Sequence, residues 1–189
     1  MYHDILKNAS FHALFVHIDD ELAKTVQTAD CPFCGGPLYQ ANYPRSPLGL
    51  PLPCREHYDT RRSLCCGNCR KRVTTPSVRF LGRRRFPAAL ILLITAFMSS
   101  ASRRRYHQVT RYFGIKISVR TWGRWRRWWR DSFIGTAFWK QAKAHLSNET
   151  IVGPFPRQLL VTFSGSLSQK LEKALRFLAP MTAGVYRAV

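Results

Sequence analysis

The residues best equipped for chemistry are the six cysteines. Cys31-Pro-Phe-Cys34-Gly35-Gly36 and Cys66-Gly67-Asn68-Cys69 each place two thiols around a two-residue spacer, which lets both sulfurs face one cation while glycines permit the tight turn. Two such pairs supply four thiolates, enough to close a tetrahedral structural Zn2+ site. The chain shows no apolar run behind a basic start, and the cytoplasmic location this implies keeps thiols reduced, so the pairs read as ligands and not as disulfides. Other arrangements stay open. Cys54-Arg-Glu-His57 also has ligand spacing and could join Cys31 and Cys34, and Cys65 neighbours Cys66. A closed four-sulfur site offers no open coordination position, so it would hold a strand-rich unit together and do no catalysis.

The carboxylates point the same way. The chain carries 30 Lys plus Arg against 10 Asp plus Glu, a formal charge of +20. From Thr60 to Arg130 there are 19 Lys or Arg and no Asp or Glu. Two-metal nucleases, glycosidases and acid dyads need converging carboxylates, and most of the ten present read as surface residues. An enzyme is therefore not expected. Such a charge calls for a polyanionic partner, either nucleic acid or an anionic membrane. The apolar run Phe86–Met98 lies between Arg83-Arg84-Arg85 and Arg103-Arg104-Arg105. It is shorter than the roughly 20 residues that span a bilayer. It reads as a buried central helix, with no membrane partner expected.

Nucleic acid is favoured by the segment Val119–Arg130, VRTWGRWRRWWR. At about 100° per residue, with Arg120 at zero, Arg124 lies near 40° and Arg127 near 340°, whereas Trp122, Trp125 and Trp129 lie near 200°, 140° and 180°. The tryptophans would face a core and the arginines would face out, with Trp128 between the two. Arginine on a helix of this width can meet guanine edges in a DNA major groove, while Arg83 to Arg85 and Arg103 to Arg105 would neutralise phosphates. Arg61-Arg62 and Arg70-Lys71-Arg72 extend the basic region. His107 and His145 read as surface residues.

These residues need scaffolding. The expected fold is mainly α with a small β zinc ribbon and a helix-turn-helix-like helical domain: residues 1–30 an N-terminal helical arm, 31–85 the ribbon, 86–150 the helical domain, and 151–189 a tail with an amphipathic helix. In the arm, Ile5, Phe11, Leu14, Phe15, Ile18 and Leu22 fall near helical spacing. Pro87 would open the apolar helix, which would end at Ser99, Ser100 and Ser102. Ser102 would cap a helix ending at Gly114, and Ser118 would cap the arginine helix. Gly153-Pro154-Phe155-Pro156 would break the chain, and Leu167, Leu171, Ala174 and Leu178 would form an apolar stripe that packs intramolecularly or pairs two copies as a homodimer.

In this order, CPFCGG, CCGNCRKRVTTPSVRF and FGIKISVRTWGRW resemble the zinc-ribbon plus helix-turn-helix DNA-binding module of bacterial insertion-element transposases, over roughly 31–133. The segment from Gly114 to Thr121 is a little longer than that family's turn. The resemblance implies Zn2+ on Cys31, Cys34, Cys66 and Cys69, and double-stranded DNA as ligand, read by Arg120, Arg124 and Arg127. It also implies a catalytic domain with three metal-binding carboxylates, yet only Glu149 and Glu172 follow Asp131. The expectation is a non-catalytic, nucleoid-associated factor of a mobile element, with a recombinase as a possible partner. The alternatives are a structured-RNA or ribosome-associated zinc-ribbon protein, and a non-catalytic subunit or remnant of a transposase or nuclease.

Overall fold

The structure, a computed structural model, describes residues 2–98, 102–143 and 155–184 of the 189-residue chain. Ser99, Ser100, His145, Glu149, Gly153 and Pro154 lie outside the described residues. The described chain is mainly helical with a small antiparallel sheet. After a short α1 (Tyr2–Ile5), Asn8 accepts from the Phe11 N–H and starts α2 (Ala9–Thr28), which buries Phe11, Phe15 and Ile18. Leu14, expected on that stripe, is exposed.

The small sheet has the order β1 (Leu38–Gln40), β4 (Ser63–Cys66), β5 (Arg72–Thr74), all antiparallel, with Leu38 opposite Cys66 and Cys65 opposite Arg72. Between β1 and β4 lie two 3-10 turns, Leu52–Cys54 and Glu56–Tyr58, and the two-stranded pair β2 (Tyr43–Pro44) and β3 (Thr60–Arg61).

One carboxylate binds these parts together. Asp19 on α2, expected at the surface, is fully buried; it accepts from Ser77 Oγ at 2.6 Å, Val78 N at 2.7 Å and Arg79 Nε at 2.7 Å. Arg79 is buried as well and donates onward to the carbonyls of His57 and Thr60. Arg61, counted in the basic region from sequence, is 1% exposed and donates to Thr75 O and Thr182 O, while Arg62 pairs with Asp20. A guanidinium stays charged when buried, so carbonyls and carboxylates must surround it to offset its lost hydration; Arg61 and Arg79 are therefore framework residues and not a binding surface.

The main core is built around α3 (Ala88–Phe97), every residue of which from Ala88 to Ala96 is buried. A helix apolar on all sides must be surrounded, and α5 (Val119–Arg127), α7 (Arg157–Thr162) and α8 (Leu167–Leu178) contact it, with the short α6 (Ala137–Ala142) lying between α5 and α7 in the chain. No helix among the described residues is long and apolar enough to cross a membrane. α8 begins with a reciprocal capping box between Ser166 and Gln169 and buries Leu171, Ala174, Leu175 and Leu178 within this same molecule.

Candidate functional site

Four thiols converge where β1, β4 and the sheet turns meet. Cys31, Cys34, Cys66 and Cys69 place their sulfurs within 4.8 Å of one another; Cys31 and Cys69 are 3.6 Å apart, and Cys34 and Cys66 are 3.5 Å apart. A tetrahedral ion with metal–sulfur bonds of about 2.3 Å sets a sulfur–sulfur edge of about 3.8 Å. The donor set therefore fits a closed, structural metal site. The two knuckles share one backbone form: Gly35 N–H donates to Cys31 O at 2.8 Å, and Arg70 N–H donates to Cys66 O at 3.2 Å. Gly35 and Arg70 each follow the second cysteine of their pair, and both are left-handed, at φ 69° and 59°. Burial of Cys31 and Cys66 leaves Cys34 as the most exposed ligand.

The other sulfurs stay apart from this cluster. Cys54 is buried beside Leu50, Tyr58 and Phe80, with its thiol directed toward Lys7 O, and burial together with Glu56 pushes that thiol up. Cys65 points instead toward the carbonyls of Arg70 and Cys66. The set combining Cys54 and His57 with Cys31 and Cys34 is not assembled: the cluster found among the described residues is the four-cysteine one.

The arginines are placed by local capping. Ser102 accepts from Arg105 N–H and starts α4 (Arg103–Phe113), which stops at Gly114 in the left-handed conformation, φ 65°. Residues 114–118 then turn the chain, burying Ile115 and Ile117, and Ser118 accepts from Thr121 N–H at 3.1 Å to start α5 (Val119–Arg127). Trp122 is fully buried and Trp125 is 5% exposed, whereas Arg120, Arg124 and Arg127 are exposed. The helix continues as a π-helical turn over Trp128–Phe133 that buries Trp129 and Phe133. Gly123 shares the cationic face, and a Cβ there would meet nothing within 4 Å.

The remaining proposed contacts divide. Arg83, Arg85, Arg103 and Arg104 are exposed, although Arg85 also donates to Ser46 O at 3.0 Å. Arg84 is half-buried, with its guanidinium 4.1 Å from the Trp128 ring centroid and a hydrogen bond to Leu81 O. Arg105 is half-buried too. His107 is exposed, as expected. Beside Arg124 a hollow of about 530 Å³ opens between the Arg84–Phe86 segment and α5, a feature assembled from distant segments and therefore absent from any sequence motif.

Fold and site together define a class: a basic, mainly helical protein with a four-cysteine cluster fit to hold a metal and a cationic helix face. No protein-family model, curated protein or solved structure matches this chain.

Proposed function

We propose that this protein binds double-stranded DNA and catalyses no reaction, acting as an accessory or regulatory factor of a mobile element alongside its recombinase. The observation that carries the reading is the two-sided α5, with Trp122, Trp125 and the following Trp129 buried and Arg120, Arg124 and Arg127 exposed opposite them. With α4 and the turn at 114–118, α5 serves as the recognition helix of a helix-turn-helix unit, set in the major groove. Arg83, Arg85, Arg103 and Arg104 hold phosphates, with Arg84 and Arg105 beside them in less exposed positions. The ion on the four cysteines is Zn2+, which suits a tetrahedral all-thiolate set and serves as a structural clamp. Gly123 supports close approach: a helix interior disfavours glycine by about 1 kcal/mol relative to alanine, and here its bare backbone lies within the cationic face.

The test is selection from a random duplex pool by the metal-loaded chain near physiological salt. An enriched motif is expected, with Arg124→Ala relaxing one base position and Arg85→Ala weakening all sequences alike. Tight binding without any enriched motif, together with preference for structured RNA over duplex at equal salt, would overturn the DNA reading in favour of an RNA ligand.

A further inference from the structure

A second hollow adjoins the one beside Arg124. Leu48 and Phe86 line both, the second having a volume of about 400 Å³, so the two meet at these side chains as the lobes of one groove. Its walls are fixed by hydrogen bonds to backbone carbonyls: Leu48 N–H donates to Arg85 O at 3.0 Å, and the Arg45 guanidinium donates to Arg84 O at 2.7 Å. Gly49, at φ 77°, allows the wall to close down, because a Cβ there would come within 3.0 Å of Leu90, Ile115 and Phe86.

Its chemistry is two-fold. Arg84, Arg85 and Arg124 border one end, Lys7, Arg55 and Lys116 border the other, and no acidic side chain lines either hollow among the described residues. Between them the floor is apolar: Leu48 is 40% exposed, Phe86 packs edge-on against Trp125 at 5.0 Å, and Trp128 carries the Arg84 guanidinium on its face. A duplex offers phosphates and base edges but hides its base faces in the stack. An apolar floor between two cationic ends finds its complement in a strand whose bases are unstacked, where charge follows the backbone and the apolar floor takes the base faces.

We infer that the groove binds an unpaired nucleic-acid strand beside the duplex held by α5, so that the preferred ligand is a junction between double- and single-stranded DNA. This rests on the DNA-binding reading and adds the class of DNA. Lys7, Arg55 and Lys116 become ligand contacts that the duplex alone does not reach.

The experiment compares the full chain's affinity, by fluorescence anisotropy, for a blunt duplex and for the same duplex carrying a short oligothymidine extension on either strand. The extension is expected to tighten binding by about ten-fold, the effect of one stacked base. Leu48→Ser, at an exposed floor position, and Arg55→Gln should each reduce that gain while blunt-duplex affinity holds at the wild-type value. A bound duplex indifferent to the extension would overturn the groove inference and leave the DNA reading intact. Loss of both ligands in the wild-type chain would overturn the DNA reading itself. Displacement of the extension, but not of the duplex, by polyglutamate at equal charge would make the groove an acidic-peptide site and overturn the inference.

Discussion

Salt dependence offers a sharp quantitative check, because it counts the arginines that reach phosphate. Nine arginines were singled out from sequence for DNA contact, and seven of them are exposed: Arg83, Arg85, Arg103, Arg104, Arg120, Arg124 and Arg127. Arg84 is anchored on Trp128 and Arg105 is half-buried. Each neutralised phosphate contributes about −0.9 to the slope of log K against log salt, so the four exposed phosphate-facing arginines, Arg83, Arg85, Arg103 and Arg104, give a slope of about −3.6, and adding Arg84 and Arg105 would give about −5.4. Over a four-fold rise in salt, the first corresponds to an affinity loss of about 150-fold and the second to about 1,800-fold. Anisotropy titrations on one blunt duplex at several salt concentrations separate the two. Arg104→Ala should reduce the slope by about one, whereas charge removal at Arg61 would act through folding and not through the slope. A wild-type slope shallower than about −2, or an unchanged slope for Arg104→Ala, would refute the assignment of these arginines to phosphate.

Other outcomes follow from the framework and the metal centre. Asp19→Ala leaves the Arg79 guanidinium, whose side chain is 3% exposed, buried without its carboxylate, and should cost about 3–5 kcal/mol in urea unfolding; a cost below about 1 kcal/mol would show that the pair is not a structural clamp. His12 is fully buried, with Nε2–H donating to Leu6 O and Nδ1 accepting from Tyr58 O–H; burial lowers its pKa, against the opposing Leu6 carbonyl and with help from His57. The folded state then takes up its proton less readily than the unfolded chain, so stability is intact above the unfolded value of 6.5 and declines as pH falls below it. Urea midpoints at neutral and mildly acidic pH should show this decline in wild type and a flatter response in His12→Gln; equal declines would place the effect elsewhere. Native mass spectrometry should find one zinc per chain, lost in Cys34→Ser and kept in Cys54→Ser and Cys65→Ser. Chelation should raise hydrogen exchange around β1, β4 and β5 while the fluorescence of the tryptophans, all located at positions 122–139, changes little.

What could be read from the chain and what could not divide by range. Ser102, Gly114 and Ser118 cap their helices as expected, because capping involves groups within a few residues of one another. The cysteine pairs converge because each knuckle is local and the long insert between them closes at little extra cost. Burial of charge is a different matter. Nothing near Arg61 or Arg79 in sequence distinguishes them from Arg83, since their partners, Asp19 and Thr182, lie 60 and 121 positions away. The groove was hidden for the same reason: Lys7, Arg55 and Lys116 come from three unrelated segments. The π-helical turn also escaped the regular 100° count, although the tryptophan stripe survived it.

That turn bears on how the arginine face is held. Burial of Trp122, Trp125 and Trp129 fixes the rotation of α5 about its axis, since any other rotation would expose an indole and bury a guanidinium. The face on which Arg120, Arg124 and Arg127 lie is therefore set by the core and not by the arginines themselves. Past Arg127 the backbone widens into the π turn, and Arg130 forms a two-point pair with Asp131, at 2.6 and 3.1 Å. The unpaired cationic stripe thus ends where the regular helix ends. Its length matches α5, Val119–Arg127.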